Sequence, residues 1–462
     1  MRNAAIQASY LIASVLFILG MRGMTRPDKA RRGMQLAAVG MLFAVVGTLF
    51  NSAIVDYRWI VGGLILGGII GYPMGTRVPM TAMPQRIALS LTLSALAATL
   101  VGIAEYYTEI AAGTVPTHAQ MAALGFEIML GSITVGGTIV AAGKLQEWLP
   151  SKPVTFVGQK VLNATLFAFI LALLVFAIST PTASWAFYLM IALSLLFGIL
   201  LVLPIGGADM PVVVALLNSY SGLASCATGF AIGNVILIIS GSLDGSSGFI
   251  LSILMSKAMN RSFTNVLFGA FGATDTTAAA KSASGLTVRS VSVEDAAVQL
   301  GYAQFVIIIP GYGMAVAQAQ HQVRELAELI EKRGGEVKFA VHPVAGRMPG
   351  HMNVLLAEAN VPYDKLFDMD EINGEFDRAD VALVIGANDV VNPAARNDPA
   401  SPIYGMPILN ADHAKSIIVL KRGMSAGFAG IENELFYDPK TSMLFGDAKA
   451  SLTGLVAEIK NV

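Results

Sequence analysis

Cysteine is nearly absent from this chain, and charge is scarce. One cysteine, Cys226, stands among 462 residues, so an internal disulfide is excluded and no cysteine-based metal site is available. Inside its apolar run it reads as a small buried hydrophobe. Charged residues make up 13% of the sequence against 55% hydrophobic ones, too few for an ordinary water-soluble protein. The scarcity is uneven: residues 1–284 hold 15 Lys/Arg and 9 Asp/Glu, whereas residues 285–462 hold 15 and 22. That split predicts one domain in lipid and a second, acidic one in water. His342 and His351 stand at no metal-ligand spacing with a cysteine or a carboxylate cluster, so no metal is expected. No cleavable signal peptide is expected either, because the first apolar run leads into a basic loop and further spans.

What is abundant is apolar sequence. Stretches near 4–21, 33–53, 58–76, 87–106, 121–143, 157–178, 183–204, 209–230 and 232–257 each reach the roughly 20 residues that a helix needs to cross a bilayer. Basic residues cluster after the first, third, fifth and ninth spans, as in Arg22, Arg26, Lys29, Arg31 and Arg32. That bias puts those loops in the cytoplasm, the N-terminus outside and the C-terminal domain in the cytoplasm. Small-residue patches, GGLILGGIIG (62–71) and GSITVGGTIVAAG (131–143), suit close helix packing in lipid. Polar groups at membrane depth must find partners or line a wet path. Glu127, Asn218, Asn234 and Asp244 are the candidates, with Asp244 at a possible helix break in ISGSLDGSSG.

Residues 269–290 are small, polar and aperiodic, which predicts a linker between a membrane domain (1–268) and a second domain (291–462). Ser292 followed by Asp295 reads as a capped helix start. Strands are expected at 305–310, 337–341, 381–386 and 416–420. Helices alternate with them near 314–334, 350–359, 371–376 and 446–460. The fold class expected is therefore a polytopic α-helical membrane domain of about nine spans followed by a Rossmann-like α/β domain with a doubly wound parallel sheet.

Within that sheet, FVIIIPGYGMAVAQAQ (305–320) reads as strand, glycine turn and helix, with Gly311 for the sharp turn and Gly313 for close approach of a pyrophosphate. The other strands end in loops dense in Gly, Asn, Pro or charge: HPVAGRMPGH (342–351), GANDVVNPAA (386–395) and KRGMSAGFAG (421–430). Gly405 and Met406 offer a further contact. Lys421 and Arg422 form a cationic pair suited to a phosphate, the Arg as a fork and the Lys as a point charge. The second strand ends at Ala340-Val341-His342 where an acidic residue would favour the bare ribose of NAD, so NADP is favoured.

These segments, together with MDEIN (369–373), MLFGDAK (443–449), GGADMPVVVALLNSYSG (206–222) and SKAMNRS (256–262), resemble the β subunit family of the proton-translocating nicotinamide nucleotide transhydrogenase over the whole chain. The resemblance implies NADP(H) on this chain and NAD(H) on a partner α subunit. It further implies direct hydride transfer between them, a proton path through the spans, and a homodimer of αβ units in a bacterial inner membrane, with no nucleic acid partner. Carried over by position, the cofactor contacts are Gly311, Tyr312, Gly313, Met314, Ala315 and Val316, then Val344, Ala345, Gly346, Arg347, Met348 and Pro349. They continue with Gly386, Ala387, Asn388, Asp389 and Val390, then Gly405 and Met406, and finally Asp447 and Ala448. Lys421, Arg422, Gly423, Met424, Ser425, Ala426, Gly427 and Phe428 are contacts as well, and residues 423–430 are expected to form a lid over the nucleotide. Asp389, with His342 and Arg347, makes up the candidate catalytic set, and Glu127, Asn234 and Asp244 the candidate proton path. Two departures stand out. Met83-Pro84 leads to Leu91 where many members carry a histidine, which moves the proton-carrying group elsewhere, as far as a helix of the α subunit. Gly423 and Phe428 also replace two expected lid hydroxyls. The rival reading is a transporter or channel whose Rossmann-like domain senses a nucleotide.

Overall fold

The computed structural model describes residues 2–462 apart from 52–55, 79–81, 147, 151–153, 207–208, 260–262, 264–286, 349, 400, 402 and 428. The expected linker falls largely outside the described residues, as do the site positions Pro349 and Phe428. Two compact units divide the chain, Met1–Ile253 and Leu254–Val462.

Among the described residues of the chain, nine helices are long and apolar enough to cross a membrane. They are α1 (Arg2–Met24), α2 (Pro27–Leu49), α3 (Arg58–Thr76), α4 (Met83–Ala111), α5 (His118–Leu145), α6 (Gln159–Ser179), α7 (Ser184–Val202), α8 (Met210–Ala231) and α9 (Val235–Ala258). α5 is the hub of this bundle, buried almost throughout from Met121 to Leu145. A capping box starts it: the Thr117 hydroxyl accepts from the Gln120 N–H while Gln120 reaches back to the Thr117 N–H, which satisfies donors a helix end would otherwise leave bare. Its glycines admit neighbouring backbone. A Cβ on Gly136 would lie 2.2 Å from the Leu195 oxygen of α7, and one on Gly198 2.1 Å from the Ile133 oxygen, so α5 and α7 touch main chain to main chain as small residues allow in lipid. The other glycine patch behaves differently: Gly62, Gly63, Gly67, Gly68 and Gly71 on α3 have no atom within 4 Å of a would-be Cβ. The close packing expected there is not made among the described residues.

The second unit builds a six-stranded, all-parallel sheet in the order β3-β2-β1-β4-β5-β6, from β1 (Phe305–Pro310), β2 (Glu336–Val341), β3 (Leu366–Asp368), β4 (Val381–Ile385), β5 (Ser416–Lys421) and β6 (Thr441–Phe445). Both faces are covered, so β1 and β4 are buried along their whole length, as the unbroken apolar runs FVIII and VALVI require. Strands β3 and β6 were not expected as strands. The helix α10 (Val293–Tyr302) starts where Ser292 caps it, the Asp295 N–H donating to the serine hydroxyl at 3.1 Å. One helix was expected over 314–334. The structure has two, α11 (Tyr312–Ala317) and α12 (Gln320–Lys332), because Gln318 takes the left-handed conformation at φ 49° between them. Helices α13 (His351–Glu358) and α14 (Ala448–Ile459) complete the cover.

Candidate functional site

The strand order reverses between β1 and β4, and a parallel sheet opens a crevice for ligands at that point, beyond the carboxyl ends of the strands. The two loops leaving β1 and β4 are in direct contact. The Gly311 N–H donates to the Ile385 oxygen at 2.8 Å and the Gly313 N–H to the Gly386 oxygen at 2.9 Å. A Cβ on Gly311 would fall 2.4 Å from the Ala387 backbone, and one on Gly313 2.6 Å from the Gly386 Cα. These glycines therefore admit the β4 loop, with Gly386 on the side where a Gly313 side chain would stand. Met314 and Ala315, expected as contacts, are fully buried in the core, whereas Val316 is exposed.

The loop after β2 forms one wall. His342 is 1% exposed; its Nε2–H donates to the Pro407 oxygen at 2.8 Å while Nδ1 accepts from the Val344 N–H at 3.2 Å. Both ring nitrogens are engaged, so His342 is a strut between the 342–346 and 405–409 segments and not the catalytic group expected. Its burial pulls the imidazole down to about 4 from an ordinary 6.5, against the smaller opposing pull of the Pro407 carbonyl. The folded ring thus binds a proton more weakly than the unfolded one, so its contribution to stability is complete above pH 6.5 and is lost as pH falls toward 4, in total roughly 3 kcal/mol. His342→Gln is expected to be less stable at pH 7 yet to lose less between pH 6.5 and 4.5; parallel melting profiles for the two proteins would contradict this. Beyond His342, Ala345 is buried and Gly346 turns at φ 108°. The Arg347 guanidinium lies 4.5 Å from the Tyr312 ring centroid, which brings the β1 and β2 loops together. His351, which is not among the expected contacts, backs them: fully buried, it accepts the Arg347 N–H on Nδ1 at 3.1 Å and its ring sits 6.2 Å from that of Tyr312. Met348 is half-buried beside it.

Across the crevice, Ala387 and Val390 belong to the sheet core, while Asn388 and Asp389 are half-buried at its rim. Asp389 Oδ2 accepts the Ala429 N–H at 2.9 Å. Lys421 ends β5; its Nζ donates to the Ser425 oxygen and lies 5.7 Å from the Phe436 ring centroid. Burial holds its pKa below the ordinary lysine value, and the Asp389 carboxylate pulls the other way. Arg422 reaches Asp447 Oδ2 at only 3.5 Å and keeps 68% of its side chain exposed. Asp447 caps α14, accepting the Lys449 and Ala450 N–H groups on its other oxygen, and Ala448 is buried behind it. Gly405 is exposed, turns at φ 76° and donates to the Ala395 oxygen at 2.8 Å. Met406 packs with Ala395, Ile403, Ile408, Ala429 and Ile431. Gly423 and Gly427 are half-buried; Met424, Ser425 and Ala426 are exposed.

Comparison with known proteins identifies the family. The family model for the NAD(P) transhydrogenase beta subunit matches residues 6–458. The chain belongs to the NAD(P) transhydrogenase beta subunit family. Two relatives from Rhodospirillum rubrum, both called NAD(P) transhydrogenase subunit beta, are each 51% identical to it over 456 residues, covering 97% of this chain and 98% of theirs. The transhydrogenase family name implies nicotinamide nucleotides, and the word beta a companion subunit.

In the membrane unit of this transhydrogenase chain, the three residues expected on a proton path have different surroundings. Glu127 is fully buried on α5 against Gly102 of α4, whose would-be Cβ lies 3.0 Å from the carboxyl carbon. Asp244 sits mid-way along an unbroken α9, so the expected helix break is absent, and it accepts from Asn218 of α8 at 3.1 Å. Asn234 caps α9, taking the Ile236 and Leu237 N–H groups at 3.1 and 3.3 Å, which ordinary capping explains. Leu91 is buried on α4. The helix α5 begins at His118, whose Nδ1 lies 2.7 Å from the Ile178 oxygen.

Proposed function

We propose that this chain binds NADP(H) in the crevice between the β1 and β4 loops and that hydride transfer with NAD(H), held by a partner α subunit, is coupled there to proton movement through the helices. The observation that carries this reading is the cationic pair ending β5 beside the crevice. A dinucleotide without the 2′-phosphate gives Lys421 and Arg422 nothing to bind, whereas an exposed guanidinium and a half-buried ammonium fit that group. Arg347, held over Tyr312, fits a further phosphate. NADP(H), when bound, supplies or accepts the hydride, and no side-chain acid or base is needed for that transfer. The residues of the chain position the nucleotide and keep water out: the loops after β1, β2 and β4 form the walls, and Ala429 of the β5 loop is tied to them through Asp389.

In this account residues 1–268 translocate protons, 269–290 are a linker and 291–462 form the NADP(H) domain. The basic loops support an N-terminus outside and the nucleotide domain in the cytoplasm, and the family resemblance implies a bacterial inner membrane and a homodimer of αβ units. Glu127 and Asp244 are the ionisable groups of the path within this chain. The test is transfer between NADPH and an oxidised NAD analogue in sealed vesicles, with internal pH followed. Transfer and proton movement are expected together, and only with the α subunit present. Hydride transfer by this chain alone, or transfer without proton movement in sealed vesicles, would contradict the proposal.

A further inference from the structure

Two asparagines outside the expected contact set tie together the segments that carry Asp389 and the lid. Asn392 is 0% and Asn433 2% exposed, and a buried carboxamide must have both its ends satisfied. Each does so in the same way. Asn392 accepts the Ala394 N–H at 3.1 Å on its own loop and donates across to the Glu432 oxygen at 3.0 Å. Asn433 accepts the Leu435 N–H at 3.0 Å on its own loop and donates across to Asn388, to the backbone oxygen at 3.0 Å and the side-chain oxygen at 3.1 Å. The partners dictate the amide orientation, since a backbone N–H needs the oxygen and a carbonyl needs the NH2 group. The crossing bonds of the two asparagines run in opposite directions between the β4 loop and the far end of the β5 loop.

We infer that Asn392 and Asn433 are positioning residues that fix the seat of the 429–433 segment and, through Asn388, hold Asp389 at the register that meets it. The inference rests on the NADP(H) reading given above. Next to the brace, Ala429 and Ile431 pack on Ala395, Ile403, Met406 and Ile408, so the segment has an anchored heel, whereas Met424, Ser425 and Ala426 are exposed. Between heel and flap the fit to Asp389 is tight. A Cβ on Gly427 would lie 2.3 Å from Asp389 Oδ1 and 2.9 Å from the Asn388 amide nitrogen, and Asp389 Oδ2 takes the Ala429 N–H. A shift of the heel by one hydrogen-bond length therefore either opens the Asp389 contact or drives Gly427 into it. Being buried, the asparagines act on the nucleotide through the β5 loop and Asp389.

The test uses Asn392→Ser and Asn433→Ser in the full complex with its partner subunit. Serine retains an oxygen for the local N–H but is too short to cross to the other loop, so the brace is removed while each loop keeps its own turn. Release of NADP(H) is expected to quicken by about tenfold or more in each variant, the size of one lost buried hydrogen bond. KM for the NADP side should rise and KM for the NAD side should hold. Asn433→Ser added to Asp389→Asn is expected to quicken release less than it does alone, because both act through one contact. Release at the wild-type rate would overturn the assignment, as would full additivity with Asp389→Asn or an equal loss on the NAD side with a falling melting temperature. Wild-type complex whose NADP(H) does not reside on this chain would overturn both this inference and the reading it rests on.

Discussion

Replacing Lys421 and Arg422 together by alanine is expected to weaken NADP(H) binding by roughly a hundred- to ten-thousand-fold, since each charge-assisted contact to a phosphate is worth about 1.5–3 kcal/mol. Any residual NAD(H) binding should hardly change, because NAD lacks the group these cations face. The double variant also removes the Lys421 bond to the Ser425 oxygen, so release should quicken together with the loss of affinity. Titration calorimetry with both nucleotides reads the ratio. Equal losses for NADP(H) and NAD(H) would mean that the pair supports the loop and does not read the 2′-phosphate.

The second large effect is expected in the membrane. Glu127→Gln retains the shape of a fully buried side chain wedged against Gly102 while removing the only ionisable group at that depth of α5. Proton movement in sealed vesicles is expected to fall by roughly a hundredfold, the scale of losing one positioned acid–base group, with NADP(H) affinity unchanged. Leu91→Ala, which alters an apolar contact alone, should leave the rate nearly where it was. Normal proton movement in Glu127→Gln would remove Glu127 from the path and direct attention to Asp244 and its partner Asn218.

The readable parts of the sequence are those where one physical demand dominates. Apolar length gave all nine membrane helices within a few residues, since nothing but a hydrogen-bonded helix can carry such runs through lipid. Buried parallel strands were legible for the same reason in FVIII, VALVI and the SIIVL segment. Strand β3 was missed because LFD is three residues long between charges, and β6 because TSMLF sits beside a polar turn. Partnering is what the chain order conceals. Gly311 and Gly313 fit a nucleotide turn by pattern, yet their bare Cα positions face Gly386 and Ala387, some 75 positions away in the sequence. His342 reads as a polar group at a strand end, and its burial comes from Pro407, a segment no local pattern connects to it. Asn392 and Asn433 read as ordinary turn residues; only the folded loops reveal that their amides cross. The break expected near Asp244 was inferred from SGSLDGSSG, but packing against α8 holds those small residues in one helix, where Gly222 and Gly245 meet backbone to backbone.

The central claim, that this chain holds NADP(H), is tested most directly by equilibrium binding to the purified full-length chain without its partner. One NADPH per chain is expected, with NADH binding weaker by the margin that Lys421 and Arg422 confer. An absence of NADPH binding, or indifference between NADPH and NADH, would contradict the account.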